Sequence, residues 1–91
     1  MVAAYEYDQM VFSEGNGYVR FATVPLPSGL FTTRPYVVAS KNQTGNSEFE
    51  ISCIMNVVST TTTSVRLSVN NPGGGLPSEF KLPFTLMALG W

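Results

Sequence analysis

The stretch Phe49-Glu-Ile-Ser-Cys-Ile-Met-Asn-Val-Val58 decides how this chain folds. Apolar residues in it do not recur at the helical spacing of three and four, so it predicts a strand. Its side chains divide between two faces, with Ile51, Cys53, Met55 and Val57 on one and Ile54 and Val58 on the other. A strand with one face in solvent should alternate between apolar and polar residues. Because both faces are apolar here, the second face should lie in a central strand or a subunit interface, and we favour the interface.

The rest of the chain divides into short β-type runs separated by turns. The hydroxyl-rich turn 59–64 leads into a strand at Val65 to Val69, and a last strand follows at Phe84 to Trp91. Three further strands are predicted upstream, at Tyr5 to Phe12, Tyr18 to Val24 and Tyr36 to Ser40. The predicted breaks between strands are Ser13–Gly17, Pro25–Gly29, Lys41–Ser47 and Asn70–Pro77. The pattern predicts an all-β fold, an antiparallel β-sandwich of about six strands without long helices.

Length and composition indicate a small domain whose own hydrophobic core is not sufficient to stabilise it. The 91 residues predict one domain, 1–91, in which 1–17 could serve as an N-terminal strand or arm for attachment or swapping. Cys53 is the only cysteine, so a disulfide within the chain is excluded, and histidine is absent. Charged residues make up 12% and apolar residues 44%, a balance that would expose large apolar patches on a monomer. Oligomerisation is therefore the expected source of stability.

Several partners and locations are disfavoured by the same composition. The net charge is −1 and the five basic residues are scattered singly, so nucleic-acid binding, which needs a basic patch, is not expected. No apolar stretch reaches the length of a transmembrane helix. The first residues lack the basic region of a signal peptide, so synthesis in a cytoplasm is expected. We expect no cofactor.

Catalytic and metal sites find little support in the sequence. The glycines Gly73 to Gly75 are followed by Leu76-Pro77 rather than by the Lys-Ser/Thr of a phosphate-binding loop, and a flexible loop is the better interpretation. Glu48 and Glu50 share a strand face, but such a pair beside a polar loop is usually solvated. Without histidine, no serine or threonine has an evident activating base. We therefore predict neither catalytic nor metal-binding residues.

Recognition and assembly have better candidates. Tyrosine and tryptophan combine apolar area with a hydrogen-bonding group, which suits sugar binding, although packing in a core or interface uses them equally well. The predicted ligand-binding residues are Tyr36, Asn42, Asn70, Asn71 and Trp91. The predicted interface residues are Ile54, Val58, Phe84 and Leu86. Placing a charge on the interface by Ile54→Lys should dissociate the oligomer, because an unpaired buried charge is costly.

Three segments together resemble the H-type lectin domain. They are Arg34-Pro-Tyr-Val-Val-Ala-Ser40, Ile54-Met-Asn-Val-Val-Ser-Thr-Thr-Thr-Thr-Ser-Val65 and Phe84-Thr-Leu-Met-Ala-Leu-Gly-Trp91. The resemblance covers about residues 18–91 and implies a six-stranded antiparallel sandwich that forms trimers. The family's sugar site uses an arginine on the central strand and an aromatic–histidine pair in a later loop. This chain has Ile54 near the first position and Asn70-Asn71-Pro72 at the second.

The resemblance implies a function as well, because such domains occur in invertebrate agglutinins and in phage tail fibres and other virion appendages. The absence of cysteine pairs disfavours a secreted animal lectin. The expected function is a non-enzymatic, phage-type virion protein at a fibre tip or decorating a capsid. It would be made in the host cytoplasm, and its partners would be copies of itself, other virion proteins and a host-surface glycan. The alternative is a stand-alone carbohydrate-binding lectin, and a small enzyme is third.

Overall fold

The computed structural model describes residues 1–7, 10–42, 53–71, 75–76 and 79–91. These residues form nine β-strands and no helix, so the predicted all-β class is confirmed for the part of the chain described. The strands are β1 (Val2–Tyr7), β2 (Val11–Phe12), β3 (Glu14–Asn16), β4 (Val19–Pro25), β5 (Tyr36–Lys41), β6 (Ile54–Thr60), β7 (Ser64–Asn70), β8 (Phe80–Lys81) and β9 (Phe84–Leu89). All strand pairs between them are antiparallel.

The three-stranded sheet joins the two ends of the sequence. Its order is β1-β9-β5, with β9 in the centre. In its first row Leu89 lies opposite Val2 on one side and Tyr36 on the other. Two further hydrogen bonds extend the ladder past the first row: the Gly90 amide donates to the Met1 carbonyl oxygen at 3.0 Å, and the Met1 nitrogen donates to the Gly90 carbonyl oxygen at 2.7 Å.

The four-stranded sheet has the order β3-β4-β7-β6. Strands β3 and β4 are joined by the two-residue turn Gly17-Tyr18, and Gly17 has a φ of 32°, in the left-handed region that glycine enters at little cost. The β6–β7 turn is held by the hydroxyl of Thr61, which accepts from the amides of Thr63 and Ser64 at 3.2 and 3.0 Å. Threonine suits this position because its hydroxyl can replace a backbone partner in a turn.

One hydrophobic core joins both sheets and the two-stranded β2–β8 sheet. The three-stranded sheet contributes Phe84, Leu86 and Ala88, and the four-stranded sheet contributes residues such as Leu67 and Val69. The ring of Phe12, from β2, meets the ring of Phe84 edge-on with centroids 5.9 Å apart. Full burial of side chains of this size stabilises the fold by about 1.5–3 kcal/mol each.

The six long strands overlap the six predicted runs, but their boundaries differ and one run is not a single strand. The predicted strand Tyr5 to Phe12 is wrong as one element, because β1 and β2 belong to different sheets. The predicted turn Ser13–Gly17 contains strand β3. The predicted loop Lys41–Ser47 and the beginning of the run Phe49 to Val58 lie largely outside the described residues. In β6 itself, Met55 and Val57 are half-buried and Ile54 and Val58 are exposed, which confirms the predicted division of faces.

Candidate functional site

The outer side of the three-stranded sheet carries two complete rows of apolar side chains. Every second residue of each strand points away from the core, and antiparallel register aligns these residues across the sheet. We call this surface the outer apolar face, and its residues are Val2, Leu89 and Tyr36 in one row and Ala4, Met87 and Val38 in the next. The opposite side of the same strands supplies the core, so both sides of this sheet are apolar.

The outer apolar face is solvent-accessible in the single chain. The exposed fractions are 61% for Val2, 73% for Tyr36, 68% for Val38, 49% for Met87 and 48% for Leu89. Together they amount to an apolar area on the order of 500–600 Å², at the upper end of the largest patches on soluble monomers, about 300–600 Å². Single exposed apolar residues are ordinary, but a continuous patch of this size indicates a binding surface.

The polarity of this face changes along the strands. The third row consists of Glu6, Thr85 and Ser40. Beyond it, the Asn42 side-chain amide donates to the Thr85 hydroxyl at 2.6 Å, and the Asn42 backbone amide donates to the Pro83 carbonyl oxygen at 2.8 Å. One end of the sheet is therefore polar and hydrogen-bonded, and the other end is apolar and uncovered.

The outer side of the four-stranded sheet differs, because polar side chains partner one another there. The Arg66 guanidinium donates to both carboxylate oxygens of Glu14, at 3.2 and 3.3 Å, and to the Thr23 hydroxyl at 3.1 Å. Its central carbon also lies 4.9 Å from the centroid of the Phe21 ring, a cation–π geometry. On this side of the molecule, Arg66 therefore has its partners within the chain and covers Phe21.

A cleft of about 320 Å³ lies between the beginning of β5 and the end of β6, which run side by side. Its lining combines one cation, one aromatic ring, two hydroxyl residues and apolar groups: Arg34, Pro35, Tyr36, Val37, Val57, Val58, Ser59 and Thr60. The β6 wall contains an irregularity, because the register passes from Val57 to Ser59 and leaves Val58 without an opposite residue on β7. Such bulges commonly reorient side chains beside binding sites.

The β5 side of this cleft is fixed by packing next to Trp91. A side chain at Gly90 would meet Phe31 at 3.0 Å and Pro35 at 3.2 Å, so glycine allows these residues to pack against the β9 backbone. The Trp91 carbonyl oxygen accepts from the amides of Thr32 and Thr33 at 3.0 and 3.2 Å and from the Thr32 hydroxyl at 2.8 Å. These bonds hold the segment that leads into Arg34.

The five predicted ligand-binding residues do not form one site. Tyr36 and Trp91 are both exposed, at 73% and 70%, and lie at the apolar end of the three-stranded sheet. Asn42 lies past the opposite end of β5. Asn70 ends β7. Asn71 is buried, and its backbone amide donates to the Tyr18 carbonyl oxygen at 3.0 Å. Only Tyr36 of the five lines the cleft.

The predicted interface residues divide in the same way. Phe84 and Leu86 are completely buried in the core of the chain, which corrects their assignment to an interface. The residue between them, Thr85, and the next, Met87, point outward instead. Ile54 and Val58 are about half exposed on the edge strand β6, and their role in assembly stays a prediction.

Sequence reasoning missed Arg34, Thr60, Val38 and Met87. Val38 and Met87 were recoverable in principle, because each lies between inward-facing residues of a predicted strand. Arg34 and Thr60 lie on segments distant in sequence, and only the tertiary fold brings them to one cleft.

Among ionisable groups, Tyr7 has an altered environment. Burial raises the pKa of its phenol above the ordinary value, and the neighbouring Tyr5 adds to the effect. The Tyr7 ring stacks on Phe84 with centroids 5.0 Å apart. In the described parts of the chain, no three His, Cys, Asp or Glu residues gather as metal ligands would.

Comparisons with known proteins return no match: no protein-family model, no curated protein and no solved structure is similar to this chain. No helix among the described residues is long and apolar enough to cross a membrane.

Proposed function

We propose that this chain is a non-enzymatic structural β-domain that assembles with copies of itself through the outer apolar face. The observation that carries the proposal is the pair of complete apolar rows on a sheet whose other side already forms the core. A sheet that is apolar on both sides gains stability when a second layer covers its exposed side, because apolar area is then removed from water.

The size of the face suits a partner that is a protein surface. With Trp91, exposed at 70% beyond the first row, the exposed area approaches the roughly 800 Å² per partner of a standard interface. The aromatic residues Tyr36 and Trp91 are of the kind enriched in such contacts. A second copy is the partner that fits best, because an apolar face is complementary to itself and the two rows of this face contain no charged side chain.

We propose that three copies of the chain form the assembly. Support comes from the resemblance of the Arg34–Ser40, Ile54–Val65 and Phe84–Trp91 segments to a trimeric sandwich family. In that arrangement the three- and four-stranded sheets are the two layers of a sandwich, and the outer apolar faces meet between copies. The low content of charged residues, 12%, agrees with a chain that buries much of its surface on assembly.

The biological setting we propose is a phage-type virion, as a fibre tip or a particle decoration made in the host cytoplasm. Other virion proteins would then be partners. The same sequence resemblance supports this setting, and the absence of cysteine pairs disfavours a secreted animal lectin. The absence of histidine, the commonest general base, supports a non-enzymatic role.

Carbohydrate recognition is a second candidate function, and the cleft between β5 and β6 favours it. The cleft presents a cation, a ring and hydroxyl residues at one place, a combination found in sites that orient small polar ligands. The cleft and the outer apolar face share one residue, Tyr36, which the proposed contact between copies would cover, and the rest of the cleft lies outside that face.

Light scattering coupled to gel filtration tests the proposal. At micromolar concentration the chain should elute as a particle of about three times its 9.9 kDa mass. A dimer would keep self-association and overturn the trimer. A stable monomer would overturn the proposed function.

A further inference from the structure

We propose that the cleft between β5 and β6 binds a sugar that carries a carboxylate, such as a uronic acid. The site consists of residues of one copy, so this inference deepens the carbohydrate-binding alternative and does not depend on assembly.

Arg34 supplies the recognition of charge. It is exposed and lines the cleft, and within the described residues no carboxylate forms an ion pair with it. Arg66, by contrast, has both carboxylate oxygens of Glu14 within reach. A guanidinium presents its donors as a planar fork that matches the two oxygens of a carboxylate, and such charge-assisted bonds are about twice as strong as neutral ones.

The remaining lining suits the neutral part of a sugar. Ser59 and Thr60 bring hydroxyls, which donate and accept hydrogen bonds as sugar hydroxyls require. The volume of about 320 Å³ lies at the lower end of the roughly 300–1,000 Å³ of ligand clefts, which suits one or two sugar units.

An acidic peptide is the competing ligand, and the strand geometry disfavours it. A peptide that binds beside a sheet normally adds a strand along a regular edge. The edge strand β6 changes register between Val57 and Ser59, where it lines the cleft, and a bulge of this kind interrupts such pairing.

The test compares glucuronate with glucose as probes, using NMR shift titrations of the isotope-labelled protein in its native assembly state. The expected result is saturable shifts at the residues lining the cleft with glucuronate, and at least about tenfold weaker binding of glucose. Arg34→Gln should reduce glucuronate binding by about tenfold or more and leave glucose binding unchanged. The matched control is Lys81→Gln, which removes one exposed cation outside the cleft and should leave both affinities unchanged.

The inference would be overturned if glucuronate showed no saturable binding, or if the shifts lay away from the cleft. It would also be overturned if glucose and glucuronate bound equally well, or if Arg34→Gln left the affinity for glucuronate unchanged. A short glutamate peptide that binds the same residues more tightly than glucuronate would also overturn it. Because the oligomeric state is measured on the same samples, failure of binding remains distinguishable from failure of assembly.

Discussion

The proposed contact through the outer apolar face can be tested by placing one charge in its second row with Val38→Lys. Val38 is the outward residue of the second row, opposite Met87, and 68% of its surface is exposed in the single chain. Because full burial of a valine is worth about 1.5–3 kcal/mol, covering the exposed two-thirds contributes about 1–2 kcal/mol per copy. Lysine forfeits that gain and adds the cost of an unpaired charge in the contact, which is several kcal/mol.

The dissociation constant of the assembly should therefore rise by more than about a hundredfold, which corresponds to about 3 kcal/mol. The free energy of unfolding of the single chain should change by less than about 0.5 kcal/mol, because residue 38 lies on the surface of the monomer. Sedimentation velocity over a concentration series measures the first quantity, and circular dichroism of the dissociated variant checks that it is folded.

The matched control is Ser40→Lys, which puts the same charge on the same strand and the same side, one row further along. Ser40 belongs to the polar row with Glu6 and Thr85, so its substitution should weaken assembly far less. Equal dissociation by both variants would show that the apolar rows are not the contact. A folded Val38→Lys variant that assembles as the parent does would refute the reasoning.

Three further predictions concern other parts of the molecule. Ile54→Lys should weaken assembly less than Val38→Lys, because Ile54 lies opposite polar Asn70 on its strand pair; sedimentation of both variants in parallel decides this, and a larger effect of Ile54→Lys would move the interface to β6. Gly15→Ala should lower the free energy of unfolding by at least about 1–3 kcal/mol, because its φ is 104° and a Cβ there would lie 2.5 Å from the Val19 carbonyl oxygen. Urea denaturation measures this against Gly75→Ala, where the nearest atom would be 3.5 Å away, and equal stabilities would contradict it. Tyr7 should lose its proton at higher pH in the folded than in the unfolded chain, since burial and Tyr5 raise its pKa; stability should therefore fall as pH rises above about 10, where the unfolded tyrosine ionises first, and Tyr7→Phe should remove this part of the fall in urea titrations at pH 9 to 11.

Alternation in the sequence was sufficient to predict which residues of β6 face inward. Met55 and Val57 point to the core, and Ile54 and Val58 point away from it, as their spacing predicts. In β4 the core lies on the side of Ala22 and Val24, which alternation alone did not indicate. The turn after β6 was also predictable, because consecutive hydroxyl residues such as Thr61 can satisfy a turn locally. These features depend on near neighbours in the sequence, which a periodic pattern records.

The order of strands could not be predicted in the same way. Strand β9 pairs with β1 and β5, which are far away in sequence, and not with β7. Because the alternation of side chains is the same in every strand, it does not indicate which strands pair. In β9 itself, Phe84 and Leu86 alternate with Met87 and Leu89, so both faces are apolar and the pattern cannot say which one is the core. The incorrect placement of Phe84 and Leu86 at an interface follows from this ambiguity.

The candidate site was predictable only in part, for a related reason. Tyr36 was selected by its aromatic ring, and it lies at the cleft and on the outer apolar face. The asparagines were selected because they lie in polar loops, yet Asn71 is buried and Asn42 bonds to Thr85. Arg34 and Thr60 line the same cleft only because β5 and β6 lie next to each other in the fold.

Solvent footprinting of Met87 tests most directly whether another copy covers the outer apolar face. Hydroxyl-radical oxidation, read by mass spectrometry, would compare the assembled protein with the Val38→Lys variant, using exposed Tyr18 in the β3–β4 turn as an internal reference. Met87 should oxidise slowly in the assembled protein and several-fold faster in the variant, with Tyr18 equally reactive in both. Equal oxidation of Met87 in the two samples would contradict the account.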